Sequence, residues 1–213
     1  KDFTATGLIL QDFASLKNTM IDSMHNGYGT ELSDILTTLE MQTAIDPPIL
    51  IKWFWDIFIV DALIGNWDRH NGNWGFLYNN ATDEIKLAPV YDCGSCLFPQ
   101  ASEEIMKNTL EDPEERNLRV FEIPLSGIKI NGKKIRYFDF ISSLQNTDCN
   151  QALKRILARI DLIKINKIID ETPFISDLQK TFYKTILKER KEHILNFSYE
   201  KLCKSKSSLS NEN

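Results

Sequence analysis

The sequence lacks an apolar run long enough to cross a bilayer. Its most hydrophobic stretch, Ile49 to Ile64, is interrupted by Lys52, Asp56 and Asp61, and a membrane helix needs about 18–20 uninterrupted apolar residues. The stretch reads instead as a buried core helix. Cysteine is sparse: Cys93, Cys96, Cys149 and Cys203 are the four among 213 residues. That is too few to staple a small secreted domain, so a reducing, cytoplasmic setting is expected. A basic excess is also missing. Lys and Arg number 25 against 30 Asp and Glu, for a net charge of −5 and a pI near 5.3, which argues against a domain whose main work is neutralising nucleic-acid phosphates. The opening KDFTATGLIL offers no basic segment followed by a long apolar run and a cleavage site, so no signal peptide is read. Because the first residue is Lys rather than Met, a fragment is expected. No internal repeat is present.

What is present is an ordinary globular composition, 42% hydrophobic and 26% charged, sufficient for one sizeable core or two small ones. Phe13, Leu16 and Met20 recur at helical spacing and stop at Asn26-Gly27-Tyr28-Gly29. Thr30 is placed to cap a second helix, whose Leu32, Ile35, Leu36 and Leu39 share one face. Pro47-Pro48 suit the start of a third, apolar on nearly all sides. After Gly65, WGFLY and EIKLAPV around Asn79–Asp83 predict a β-hairpin. The segment 100–117 has weak periodicity and is expected as a mobile loop or irregular helix. Asn131-Gly132 predicts a second hairpin between SGIKI and KKIRY. Helical stripes then follow at Leu153, Ile156, Leu157 and Ile160, and at Phe182, Ile186 and Leu187 behind a cap at Ser176.

The chemistry concentrates in Gly65-Asn66-Trp67-Asp68-Arg69-His70-Asn71-Gly72-Asn73 and in Tyr91-Asp92-Cys93-Gly94. Phosphoryl transfer asks little covalent help of a protein. One carboxylate must orient and deprotonate the attacking hydroxyl, and oxygen ligands must hold magnesium against the nucleotide phosphates. Asp68, an Asn five residues on and an Asp returned by a hairpin supply these groups. Asp68 is read as the catalytic base, and Asn73 and Asp92 as the magnesium ligands at the ATP phosphates. His70 is counted at the same nucleotide site, as a brace of the loop rather than a metal ligand.

The run D-A-L-I-G-N-x-D-R-H-x-x-N from Asp61 to Asn73, with L-A-P-V-Y-D-C-G-S from Leu87 to Ser95, resembles the HipA-like C-terminal kinase family. The resemblance implies a protein-kinase-like fold, ATP and Mg2+ as cofactors, and phosphorylation of protein Ser or Thr, autophosphorylation included. It also implies toxin or effector roles, with an antitoxin as partner and export or translocation into host cells as the alternative location. The expectation is an α+β, mainly α chain: a protein-kinase-like C-terminal lobe with small β-hairpins over residues 1–197, then a polar, disordered tail over 198–213. No segment before Asp61 offers a Gly-rich strand-turn-strand followed by a Lys-bearing strand. The amino-terminal lobe is therefore expected to be missing, and it joins a protein substrate on the list of expected partners; neither nucleic acid nor a membrane is on it.

Two rival functions stand beside this one. D-R-H-N-x-N also resembles the catalytic loop of phosphoinositide kinases, although no basic membrane-facing segment accompanies it. A truncated lobe that binds partners without turning over ATP is the other. Cys93-Gly94-Ser95-Cys96 has thiol–disulfide spacing without a thioredoxin-like context. Trp53, Phe54, Trp55 and Phe58 read as core filling, and Lys133, Lys134 and Arg136 as a solvated strand face.

Overall fold

The computed structural model describes residues 8–21 and 26–210, with side chains through 205. The chain divides into two compact units, and the division falls within its longest helix. The fold class is α+β and mainly α, as expected.

The first unit comprises residues 1–54, 68–94 and 126–135. It contains β1 (Leu8–Asp12), α1 (Phe13–Met20), α2 (Leu32–Met41), the start of α3 (Pro47–Ile64), β2 (Gly75–Asn79), β3 (Glu84–Leu87), β4 (Lys129–Ile130) and β5 (Lys133–Lys134). Strands β1, β2 and β3 form an antiparallel sheet in that order, with Leu10 opposite Leu77 and Leu77 opposite Lys86. The β2–β3 hairpin is the one expected. Strand β1 is not: LILQD does not alternate, and it acquires its conformation from pairing along β2. The Asp12 carboxylate then ends the strand and starts the helix by accepting from Ser15 N at 2.8 Å.

Phe13 begins α1 fully buried, stacked on Trp74 with centroids 4.0 Å apart. Phe54 and Trp53 close around the same indole, as core filling. Thr30 does not cap α2; Glu31 holds the cap position without a side-chain cap bond. Its carboxylate instead accepts from Asn131 N and Gly132 N, which anchors the turn of the second hairpin. Both turn residues have positive φ, 52° and 75°, as a tight hairpin of this type requires. The paired strands are only two residues each.

The second unit comprises residues 55–67, 95–125 and 136–213. It contains α4 (Glu103–Glu111), α5 (Pro113–Asn117), α6 (Tyr137–Ser143), α7 (Thr147–Leu157), α8 (Leu162–Glu171), α9 (Asp177–Arg190) and α10 (Phe197–Ser210). Of the two readings of 100–117, the helical one holds and the mobile loop does not: Ser102 caps α4, Asp112 caps α5 with Pro113 in its first turn, and Met106 buries one face in a cluster with Phe182 and Ile186. Both helices are short and held by their caps, and α5 buries no residue. Nor is the segment from Ser198 a disordered tail. It forms α10, with Ser198 and Leu202 buried and Lys201 Nζ donating to Ser142 O at 2.8 Å. Residues 211–213 of that expected tail lie outside the described residues. Ser176 caps α9 as expected, in a reciprocal capping box with Gln179.

Arg190, wholly buried at the end of α9, fastens this unit. Its guanidinium donates to Ala62 O at 2.8 Å, Arg119 O at 2.9 Å and Val120 O at 2.8 Å, and lies over the Tyr137 ring. Burial lowers its pKa to about 10. Among the described residues, no helix is long and apolar enough to cross a membrane.

Candidate active site

The stem of the site belongs to the helical unit. After Ile64, Asn66 turns inward and is fully buried. Its Nδ2 donates to Asp61 Oδ1 at 2.9 Å, its Oδ1 accepts from Ser95 Oγ at 2.7 Å, and its carbonyl accepts from Tyr137 OH at 2.6 Å. A buried amide paired at every end fixes the direction in which the chain leaves α3.

The loop that follows, from Asp68, belongs to the sheet-bearing unit. His70 N donates to Asp68 O at 2.8 Å, and Asn71–Asn73 form one 3-10 turn. His70 Nδ1 caps that turn by accepting from Gly72 N at 3.0 Å, so the ring carries its proton on Nε2 while it does so. The bond ties the ring to the loop's own backbone. Asn73 is buried and its Nδ2 donates to Asp68 O at 2.9 Å, which leaves Oδ1 as the amide's remaining acceptor. The half-buried Asp68 and the Asn73 amide are thus brought together by the loop itself.

The segment bearing Asp92 is tied to the loop by two side chains to which the sequence reading gave no role. Arg69, buried, donates from one nitrogen to Asn73 O at 2.6 Å and Tyr91 O at 2.7 Å. Its other terminal nitrogen meets Cys93 Sγ at 3.6 Å. Tyr91 OH donates to Gly72 O at 3.2 Å. Burial foremost, then the Asp12 charge, pushes this phenol up to about 12 against the opposing pull of Arg69, with Asp92 adding to the rise. It therefore remains a protonated donor at neutral pH. Their place in the sequence was the available signal: Arg69 and Tyr91 stand directly beside the two aspartates. The hairpin 126–135 also supports the loop, since a Cβ on Gly127 would lie 2.8 Å from Arg69 O.

Asp92 is exposed with φ 53°. The left-handed region costs a non-glycine residue about 1 kcal/mol or more, and Asp is among the residues that tolerate it. Among the described residues its carboxylate has no hydrogen-bond or ion-pair partner. The donor set suits magnesium: one carboxylate and one amide oxygen, both hard, with the remaining positions left to phosphate and water. Among the described residues no group of three or more His, Cys, Asp or Glu could hold a metal ion. None of the four cysteines is in a disulfide, Cys93 and Cys96 included.

Fold and loop together define a C-terminal lobe of the protein-kinase type. Residues 3–166 match the model of the HipA-like C-terminal domain, and the chain belongs to that family. It is 47% identical over 200 residues to the serine/threonine-protein kinase CtkA of Helicobacter pylori (strain J99 / ATCC 700824). That match covers 93% of this chain and 62% of the relative, so the chain spans less than two thirds of the relative's length. A crystal structure of a Helicobacter pylori proinflammatory kinase CtkA superposes with a TM-score of 0.92 at 45% identity, over 97% of this chain and 75% of that one.

Proposed function

We propose that the chain carries the catalytic residues of an ATP- and Mg2+-dependent protein serine/threonine kinase. The observation that carries the reading is the Asp68–Asn73 loop, bound through Arg69 and Tyr91 to the segment that presents Asp92. The serine/threonine kinase name of its 47%-identical relative supports it.

In this reading Asp68 accepts the proton of an incoming Ser or Thr hydroxyl and orients its oxygen. Asn73 Oδ1 and the Asp92 carboxylate hold Mg2+, and bound Mg-ATP supplies the transferable phosphoryl group together with charge compensation as it transfers. Arg69 keeps Asn73 and Tyr91 in register, and His70 keeps the turn between base and ligand closed. The acceptor is a protein hydroxyl, the enzyme's own included. The lobe that would cover the nucleotide phosphates is a partner element in this reading, whether joined to these residues or supplied separately.

The test is ATP consumption by the full-length protein with a generic protein acceptor and, in parallel, phosphoinositide vesicles. Magnesium-dependent label on protein Ser or Thr is the expected result. Label on lipid alone would replace this reading with the lipid-kinase one, and turnover on neither acceptor would leave a binding module.

A further inference from the structure

We propose that Asn71 is a positioning residue of this site, locking the catalytic loop onto the turn formed by Gly27, Tyr28 and Gly29. The inference rests on the kinase reading of Asp68, Asn73 and Asp92, and every residue in it belongs to the sheet-bearing unit.

Asn71 is fully buried, and its Nδ2 donates to two carbonyls, Gly27 O and Gly29 O, each at 2.8 Å. Among the described residues its buried Oδ1 has no hydrogen-bond partner. The orientation is therefore set by the two donors, whose acceptors cannot be exchanged for donors, since both are backbone carbonyls.

The turn is a firm platform. Asn26 and Gly27 have φ of 49° and 76°, and a Cβ on Gly27 would come within 1.7 Å of Ala14 O in α1. Only glycine permits that approach, so the position of the Gly27 carbonyl is dictated by α1. The loop meets this platform at three successive residues. The Tyr28 ring stands edge-on to His70 with centroids 5.6 Å apart, Asn71 donates its two bonds, and Gly72 passes so close that a Cβ there would lie 2.8 Å from Tyr28 Cε1.

Asn71 lies between the base and a metal ligand, within the turn whose last residue is Asn73. Arg69 and Tyr91 fix the loop to the Asp92 segment; Asn71 fixes it to the turn of Gly27 and Gly29. Without that second attachment the loop from Asp68 to Asn73 can shift as a body, Asn73 keeping its bonds to Asp68 O and Arg69. The base, whose position relative to the acceptor is then lost, should suffer more than nucleotide binding, because Asp92, phosphate and water also hold the metal. A displacement of roughly 1 Å at a reacting group can lower a rate by about 100-fold.

The experiment compares wild type, Asn71→Ala and Asn71→Ser in the full-length protein. Three quantities are read: kcat and KM for ATP per folded molecule, thermal unfolding, and hydrogen exchange of segments 26–30 and 68–73 by mass spectrometry. For Asn71→Ala, kcat should fall about 10- to 100-fold while KM for ATP moves by less than about threefold. Exchange should rise in both segments together. Asn71→Ser, which keeps one donor in a smaller volume, should fall between the two, and it carries the test should the alanine variant fail to fold. Wild-type-like kcat in a folded variant, or exchange that rises in one segment alone, overturns the proposal. A wild type that transfers no phosphoryl group overturns the kinase reading instead, and the paired exchange measurement still decides whether the clamp exists.

Discussion

The helical unit and the sheet-bearing unit are held by different means. In the former, Met106, Phe182 and Ile186 bury apolar faces against one another, and Arg190 closes three carbonyls that helix ends would leave open. Around the 68–73 loop of the latter, the decisive contacts are polar side chains donating to backbone carbonyls: Arg69, Asn71, Asn73 and Tyr91. Burial is non-directional and tolerates small shifts, whereas a loop that must hold two oxygen-bearing side chains at fixed positions needs directional bonds. Resistance to unfolding should therefore be governed by one set of residues and chemistry by the other.

The largest effect on stability is expected at Phe182, which is fully buried. Phe182→Ala should cost about 3–5 kcal/mol, a drop in Tm of roughly 6–20 °C for a chain of this size. Phosphoryl transfer per folded molecule should be unchanged. Calorimetry together with an assay at low temperature checks both halves. A folded variant that loses its rate would break the separation.

Arg190→Met keeps the length of the side chain but removes its donors, stranding the carbonyls of Ala62, Arg119 and Val120. Relief of a buried charge offsets part of that loss, so a cost of about 2–3 kcal/mol is expected. In urea titration the midpoint should move at constant slope. A neutral result would mean that the guanidinium is held at a desolvation cost equal to all three bonds.

A smaller effect is expected at Tyr91, where the sign of the pH dependence is informative. Its phenol ionises at 10.0 unperturbed and at about 12 in the fold. Between those values the folded chain binds more protons than the unfolded one, so this group's contribution is present below pH 10 and is lost as pH rises toward about 12. Tyr91→Phe should flatten that alkaline loss relative to wild type in unfolding curves taken from pH 9 to 12. Parallel slopes in the two proteins would place the phenol in a more solvated setting than the structure shows.

Much of this architecture was legible in the sequence, and the exceptions share a cause. Helix α3 and the cap at Ser176 announced themselves through local pattern, and Asn131-Gly132 through turn chemistry. Strand β1 did not, because Leu8–Asp12 becomes a strand only by pairing with Gly75–Asn79, far along the chain. Helix α10 was missed, and α4 was read only as a mobile loop or irregular helix, because each buries only a narrow stripe, Met106 and Leu202 being their marks. At the candidate site, Asp68, Asn73 and Asp92 stood out because residue type and spacing suit the chemistry and match the motifs of the resembled family. The clamps could not, since Arg69 and Asn71 act on backbone carbonyls, and a carbonyl has no letter in the sequence. Cys93 and Cys96 illustrate the converse: a spacing without a disulfide.

In the proposed function Asp68 acts on the acceptor while Asn73 and Asp92 hold the metal. The most direct measurement is the rate of phosphoryl transfer at saturating Mg-ATP by Asp68→Ala and wild type in the full-length protein, with nucleotide affinity taken alongside. A rate loss of at least about 100-fold is expected, the usual contribution of general-base catalysis, with affinity nearly unchanged because the base touches the acceptor rather than the nucleotide. A variant that keeps its rate within about tenfold, only about 1.4 kcal/mol of barrier, would show that Asp68 is not the base.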